Sequence, residues 1–212
     1  MIVKPENMTW GVNMPRQDFL TGRLLIAMPN MGDPRFERSV VLICAHDENH
    51  AMGVVVNKPL PDIKFSELLD QLSIAPRQDV ANSPVYFGGP VKSSRGVVLH
   101  SLDYRLGSTV EVAPNVGLTV TPEILTDIAG IEGIRPPPEK SMLAIGHAGW
   151  GAGQLESEIK QNSWAYCDAS ADLIFSEDVS AMWRGAFSTI GVTEAMFSGE
   201  WTKNRPEGQL LN

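Results

Sequence analysis

The stretch SVVLICAHDENHAMGVVVN, residues 39–57, consists of two nearly continuous apolar runs, Ser39–Cys44 and Met52–Asn57, around a polar centre. Runs this short, rich in valine and isoleucine and separated by Asp, Glu, Asn and His, read as two strands of a hairpin. The connection Ala45–Ala51 is longer than a minimal hairpin turn. Because neither run alternates with polar residues, both faces of the pair are expected to be covered. If the chain reverses through Asp47–His50, Ala51 lies near His46 and Asn57 near Val40. His46 and Asn57 then stand roughly 20 Å apart at the usual rise per residue, so they should not share a site. Asn57 meets instead the loop after the preceding strand, where Asp33 lies.

Working outward, Arg23–Met28 is a strand stopped by Pro29. Val85–Phe87, Val97–His100, Thr109–Val112, Gly117–Val120, Met142–Ile145 and Trp164–Cys167 are further strands. Phe65, Leu68, Leu69 and Leu72 recur at helical spacing. Thr121-Pro122 offers a cap and a first helical proline, with Gly130 as the stop. The clearest helix follows Ser176, where Val179, Met182, Trp183, Ala186, Phe187 and Ile190 make one stripe and Gly191 ends it. Pro136–Pro138 must be a surface loop. Strands first, then helices and strands intermixed, predict an α+β fold. It forms a single compact domain over residues 19–203, with a flexible arm at 1–18 and a polar tail at 204–212.

The chain's 212 residues suit one sizeable core, and its 17 basic against 25 acidic residues leave a formal charge of −8. Such a surface disfavours nucleic acid and anionic membranes unless a basic patch overrides it. The densest basic stretches, Arg35–Arg38 and Lys92–Arg95, hold only two basic residues each. No apolar segment approaches the roughly 20 residues of a membrane span, and Met1–Phe19 lacks a signal-peptide core. A cytoplasmic location is expected, with Cys44 and Cys167 as unpaired thiols and Cys44 buried.

The glycine-rich stretch Gly146–Gly153, between a strand and the helical segment Gln154–Asn162, has the layout of a phosphate-binding turn. Asp168 even lies where a ribose-binding acid belongs. Gln154 in the third glycine position, Trp150 and the acids Glu156 and Glu158 speak against it. The preferred reading is a tight turn with close packing around Trp150. Gly88-Gly89-Pro90 is a second turn, whose backbone can form an anion-holding nest. The histidines His46, His50, His100 and His147 follow no metal-ligand spacing, although His46 and His50 share one loop. No metal site and no cofactor are expected.

Several stretches taken together carry a resemblance. They are Thr21–Pro29, Met31–Phe36, Ser39–His46, Ala51–Pro59, Gly88–Val91, Gly96–His100 and Gly149–Glu156. In their order and spacing the chain resembles the YqgE/AlgH family of bacterial cytoplasmic proteins over about residues 19–200. The resemblance implies coiled mixed and antiparallel β-sheets packed around a few helices. It supplies no catalytic residues, because the family is uncharacterised; some members carry a transcriptional-regulator label. Two departures stand out. Ala45 precedes His46 where the family usually has an acid, which speaks against an acid–His46 pair. Ser198-Gly199-Glu200-Trp201 replaces the usual Gly-His-Ala-like ending.

The function expected is therefore a non-enzymatic binding or regulatory protein that recognises a protein or a small molecule. Its ligand-binding residues are Asp33, Asn57, Gly88, Gly89 and Pro90, lining one groove. The alternative is a small hydrolase- or transferase-like enzyme using His100, Asp103 and His147 at strand ends.

Overall fold

A computed structural model describes residues 19–75, 77–130, 135–193 and 196. The expected arm, the tail and the Ser198–Trp201 departure lie outside the described residues. The fold is α+β, as the strand and helix pattern predicts.

β1 (Arg23–Ala27), β2 (Val40–His46) and β3 (His50–Val55) form an antiparallel meander. The hairpin turns through Asp47, whose carboxylate accepts the backbone N–H groups of Asn49 and His50, so its connection is shorter than expected. His46 lies opposite Ala51 as anticipated, but an irregularity between Ile43 and Ala45 shifts the register by one residue, so Val41 faces Val55 and Asn57 falls one position beyond the partner of Val40. Both faces are covered: Val40 and Leu42 enter one core cluster, and Val41 and Ile43 another on the opposite face.

β4 (Pro59–Lys64) follows, then α1 (Phe65–Gln71), α2 (Gln78–Ala81), β5 (Pro84–Phe87) and β6 (Val91–Ser101). After these come β7 (Val110–Ala113), β8 (Val116–Thr119), α3 (Glu123–Ile128) and β9 (Ser141–Gly151). The last elements among the described residues are α4 (Gln154–Lys160), β10 (Trp164–Asp168), α5 (Ala171–Ile174) and α6 (Val179–Thr189). The strands run in the order β10-β1-β2-β3-β9-β6-β8-β7, with β4 and β5 as a side branch.

β9 joins the two halves of this sheet. Its first part pairs with β6 and, in parallel, with β5, and its last four residues pair with β3. Gly146–Gly151 is therefore strand, not turn, which corrects the sequence reading; only Ala152-Gly153 turns into α4. The glycines serve a backbone crossing. Between β5 and β6, which flank opposite edges of β9, the chain passes over β9 at Gly88–Pro90. A Cβ on Gly88 would lie 2.2 Å from the Gly146 oxygen, and one on Gly89 2.1 Å from the His147 carbonyl carbon. Gly146 (φ +74°) would meet the Gly89 oxygen at 2.4 Å. Backbones this close leave no room for side chains.

Three core clusters fill the layers. α5 and α6 cover one face, with Met182, Trp183, Ala186 and Phe187 buried. Ile190, expected on that stripe, is 40% exposed because the helix ends there. The opposite face holds Trp150, Leu155 and Trp164 beneath α4. α1 and α3 cover the second half of the sheet through Phe65, Leu69 and Ile124. No helix among the described residues is long and apolar enough to cross a membrane.

Candidate functional site

Two clefts flank the loop between β1 and β2. Asp33 starts a 3-10 turn over Pro34–Phe36, accepting the Arg35 backbone N–H at 3.0 Å and gripping the Arg35 guanidinium at 2.7 Å. That guanidinium holds the Asp33 carboxyl below the usual aspartate range.

On one side of the turn, Asp33, Phe36 and Pro90 wall a cleft of about 330 Å³ whose floor is Trp150 and Trp164. Trp150 ends β9, Trp164 opens β10, and α4 connects them. Glu158 of α4 accepts both indole N–H groups, at 2.9 and 2.8 Å, and the Gln154 amide at 2.8 Å. A carboxylate offers about four acceptor positions, so three are filled. Phe36 and Trp164 meet edge to face with centroids 5.6 Å apart, and Trp150 lies 6.0 Å from Trp164. These rings join the core while their edges line the cleft. We call it the aromatic cleft.

On the other side lies a smaller cleft of about 210 Å³, lined by Arg38, Asn57, Lys58, Trp183 and Arg184, with Glu37 on its rim. Asn57 clamps the loop: its Oδ1 accepts the Val40 N–H and its Nδ2 donates to the Arg38 carbonyl, both at 2.8 Å. The Arg38 guanidinium lies 5.6 Å over the Trp183 ring, within cation–π range. Half-buried Lys58 donates to the Arg35 carbonyl at 2.8 Å, and burial pushes its ammonium's pKa down. The sequence shows no basic patch here because its members come from the β1–β2 loop, the end of β3 and α6. The fold assembles one.

The expected single groove is thus divided. Asp33 and Pro90 share the aromatic cleft, Asn57 belongs to the basic one, and Gly88 and Gly89 are buried at the crossing over β9. Asn57 does meet the loop, at Arg38 and not at Asp33. Sequence reading missed Phe36 and Trp164 as cleft residues; it expected close packing around Trp150 but took Glu158 only as a mark against a phosphate turn. Two larger hollows, about 500 and 610 Å³, lie along α1 and α3 and beside Tyr86. The first is lined by apolar side chains, Gln71 and threonines, without a charged group.

The other candidates resolve as structure. His100 is fully buried; its Nδ1 donates to the Ser101 carbonyl at 2.9 Å, so its Nε2 accepts from Thr119 Oγ1 at 3.0 Å. His100 pairs with Ser141 on β9, and His147 is further along that strand, roughly 20 Å away at the usual rise. The His100, Asp103 and His147 set therefore does not converge. His46 and His50 part as well. His50 is exposed and bonds Asp47, while the His46 side chain is 3% exposed and faces Glu156 at 3.0 Å. Because His46 Nδ1 accepts the Leu20 N–H, its Nε2 carries the hydrogen donated to Glu156. An acid–His46 pair exists after all, with α4 supplying the acid that Ala45 does not. Asp168, placed like a ribose-binding acid, forms an ion pair with Arg23 instead. Cys44 and Cys167 are buried free thiols, and burial pushes Cys44 up to about 12.

The family model described as AlgH-like matches residues 24–195. A UPF0301 protein of Paracoccus denitrificans is 45% identical over 188 residues, covering 87% of this chain and 97% of that one. Another, from Bradyrhizobium diazoefficiens, is 47% identical over 190 residues, covering 86% of this chain and 87% of its own. The solution structure of the AlgH protein from Pseudomonas aeruginosa superposes with a TM-score of 0.71 at 31% identity, covering 98% of this chain and all of that one. The crystal structure of a Corynebacterium diphtheriae protein gives a TM-score of 0.64 at 24% identity, covering 83% of this chain and 90% of its own, a likeness of fold alone. The chain belongs to the AlgH-like family of UPF0301 proteins.

Proposed function

We propose that this chain is a cytoplasmic binding protein without chemistry of its own, and that the aromatic cleft takes its ligand. The observation that carries this reading is the shape and lining of that cleft, a concavity floored by two indoles, with polar groups of Asp33, Arg35, Gln154 and Glu158 around them. Aromatic surface with convergent polar groups is the usual build of a ligand site. Glu158 has one acceptor position left after binding two indoles and an amide. The fitting ligand has an apolar body and one hydrogen-bond donor, either as a small molecule or as a side chain of a partner protein. A regulatory role would follow from occupancy, with the ligand or partner changing what the other surfaces bind. The formal charge of −8 and the modest size of the basic cleft favour such a partner over nucleic acid.

Gly149 provides a clean test. It lies exposed on β9 at the cleft wall, where an added Cβ meets only Val91 Cγ2 at 3.7 Å. Gly149→Phe should fill the cleft and leave the strand intact. Native mass spectrometry of freshly purified protein is expected to show a retained mass, or a co-purifying partner, on the wild type and not on this variant. Identical spectra for the two proteins would remove the cleft from consideration.

A further inference from the structure

The basic cleft stands apart from the aromatic one and carries a different chemistry. We propose that it is a binding site for the phosphate group of a small phosphorylated molecule. Arg38 and Lys58 supply the principal contacts, and Arg184 closes the site.

Four observations lead there. First, Arg38, Lys58 and Arg184 converge on one concavity whose lining holds one carboxylate, Glu37, with Asp33 and Asp178 acting on Lys58 and Arg184 from outside it, in a chain whose formal charge is −8. Like charges gather this way against their mutual repulsion only where something else compensates. Second, donors are left over. The Arg38 guanidinium has no acceptor within hydrogen-bond distance among the described residues; its stabilising contact is the Trp183 face. An ammonium has three N–H groups and a guanidinium five, and of these only one Lys58 N–H is engaged, by the Arg35 carbonyl. Third, Arg38 holds a left-handed backbone conformation, φ +50°. A side chain in that region costs of order 1–3 kcal/mol, which the surroundings must impose. They do so through Asn57, whose amide fixes the Arg38 carbonyl at 2.8 Å. Fourth, Lys58 gives up part of its hydration by lying half-buried, a loss an anion would offset.

A forked guanidinium beside a point-charge ammonium is the pairing that suits phosphate oxygens. The helix terminus nearby is not the anchor, because Asp178 already caps α6 through the Ala181 N–H and its charge acts on Arg184. Side chains hold the anion. About 210 Å³ accommodates one phosphate group and a short body, not a polynucleotide track.

The test is a titration of isotope-labelled protein followed by amide and indole resonances, with inorganic phosphate and glycerol phosphate as probes. Sodium chloride at matched ionic strength and a phosphoserine peptide are the comparison arms. Saturable shifts are expected at Arg38, Asn57 and the Trp183 indole, with glycerol phosphate at least as tight as phosphate. Arg38→Gln and Lys58→Met should each weaken binding about tenfold, the scale of a charge-assisted hydrogen bond. Arg105→Gln should leave it unchanged, because Arg105 pairs with Glu111 and neither residue lines the cleft. Shifts reproduced by chloride, or undiminished in both cleft variants, would overturn the site. Tighter binding of the peptide than of glycerol phosphate would overturn the small-molecule assignment. Phosphate moving the Trp150 and Trp164 indoles instead would place the anion in the aromatic cleft and overturn this proposal separately from the other.

Discussion

The two clefts beside the β1–β2 loop are built in opposite ways. The aromatic cleft takes its floor from one short segment, the end of β9 through α4 to the start of β10, whose two indoles are also core, while the β1–β2 loop and Pro90 supply its walls. The basic cleft is assembled from three separated segments, and of its lining residues only Trp183 is buried. A ligand in the first exploits packing that the fold needs anyway. A ligand in the second would meet charges that the fold tolerates without requiring. The difference predicts that stability and binding separate in the basic cleft and remain entangled in the aromatic one.

The largest test of that contrast is Trp164→Ala. Trp164 is 4% exposed and packs on Phe36 and Trp150, so its truncation should cost about 3–5 kcal/mol in chemical denaturation. A loss below about 1 kcal/mol would mean that the aromatic cleft is no more structural than its neighbour. Next is Glu158→Leu, which strands the indole N–H groups of Trp150 and Trp164. Each orphaned donor costs about 1–3 kcal/mol, whereas Glu158→Gln keeps a carbonyl acceptor and should lose clearly less. Equal losses in the two variants would show that the acceptor is not what matters.

A smaller effect depends on pH. The Arg35 hydrogen bonds lower the Asp33 pKa below its ordinary 3.8, so the folded state releases that proton more readily than the unfolded chain. The resulting stabilisation is complete above about pH 4 and fades as pH falls through the lower folded value. Asp33→Asn should therefore destabilise at neutral pH by about 1 kcal/mol or less and converge with the wild type in acid. A constant gap down to pH 2 would contradict the ion pair. Smallest of all, Arg38→Gln and Lys58→Met should change stability by no more than about 0.5 kcal/mol while weakening phosphate binding. A large melting shift in either would erase the contrast.

Much of the fold was legible before the structure. Continuous valine and isoleucine runs announced the β2–β3 hairpin and its two covered faces, and the Met182–Phe187 stripe announced α6. β4 was hidden because it carries Pro59 and Pro61, which a central strand cannot hold but a side-branch strand tolerates. Gly146–Gly151 was read as a turn because glycine punctuates turns more often than it permits two backbones to cross. The candidate site was half legible. Asp33 and Pro90 do line one cleft and Asn57 does brace the loop. The indole–Glu158 network left no recognised spacing, and the basic cleft left none at all, since Arg38, Lys58 and Arg184 meet only through tertiary packing.

The central claim, a ligand in the aromatic cleft, has built-in reporters. The Trp150 and Trp164 indole N–H groups point at Glu158 in that cleft, while the Trp183 indole N–H donates to the Ala27 carbonyl elsewhere. Their resonances should be followed as the low-molecular-mass fraction of the native cells is added to labelled protein. The account predicts that the Trp150 and Trp164 signals move in the wild type and stay fixed in Gly149→Phe. Motionless Trp150 and Trp164 signals in the wild type, or the same movement in the filled variant, would contradict it.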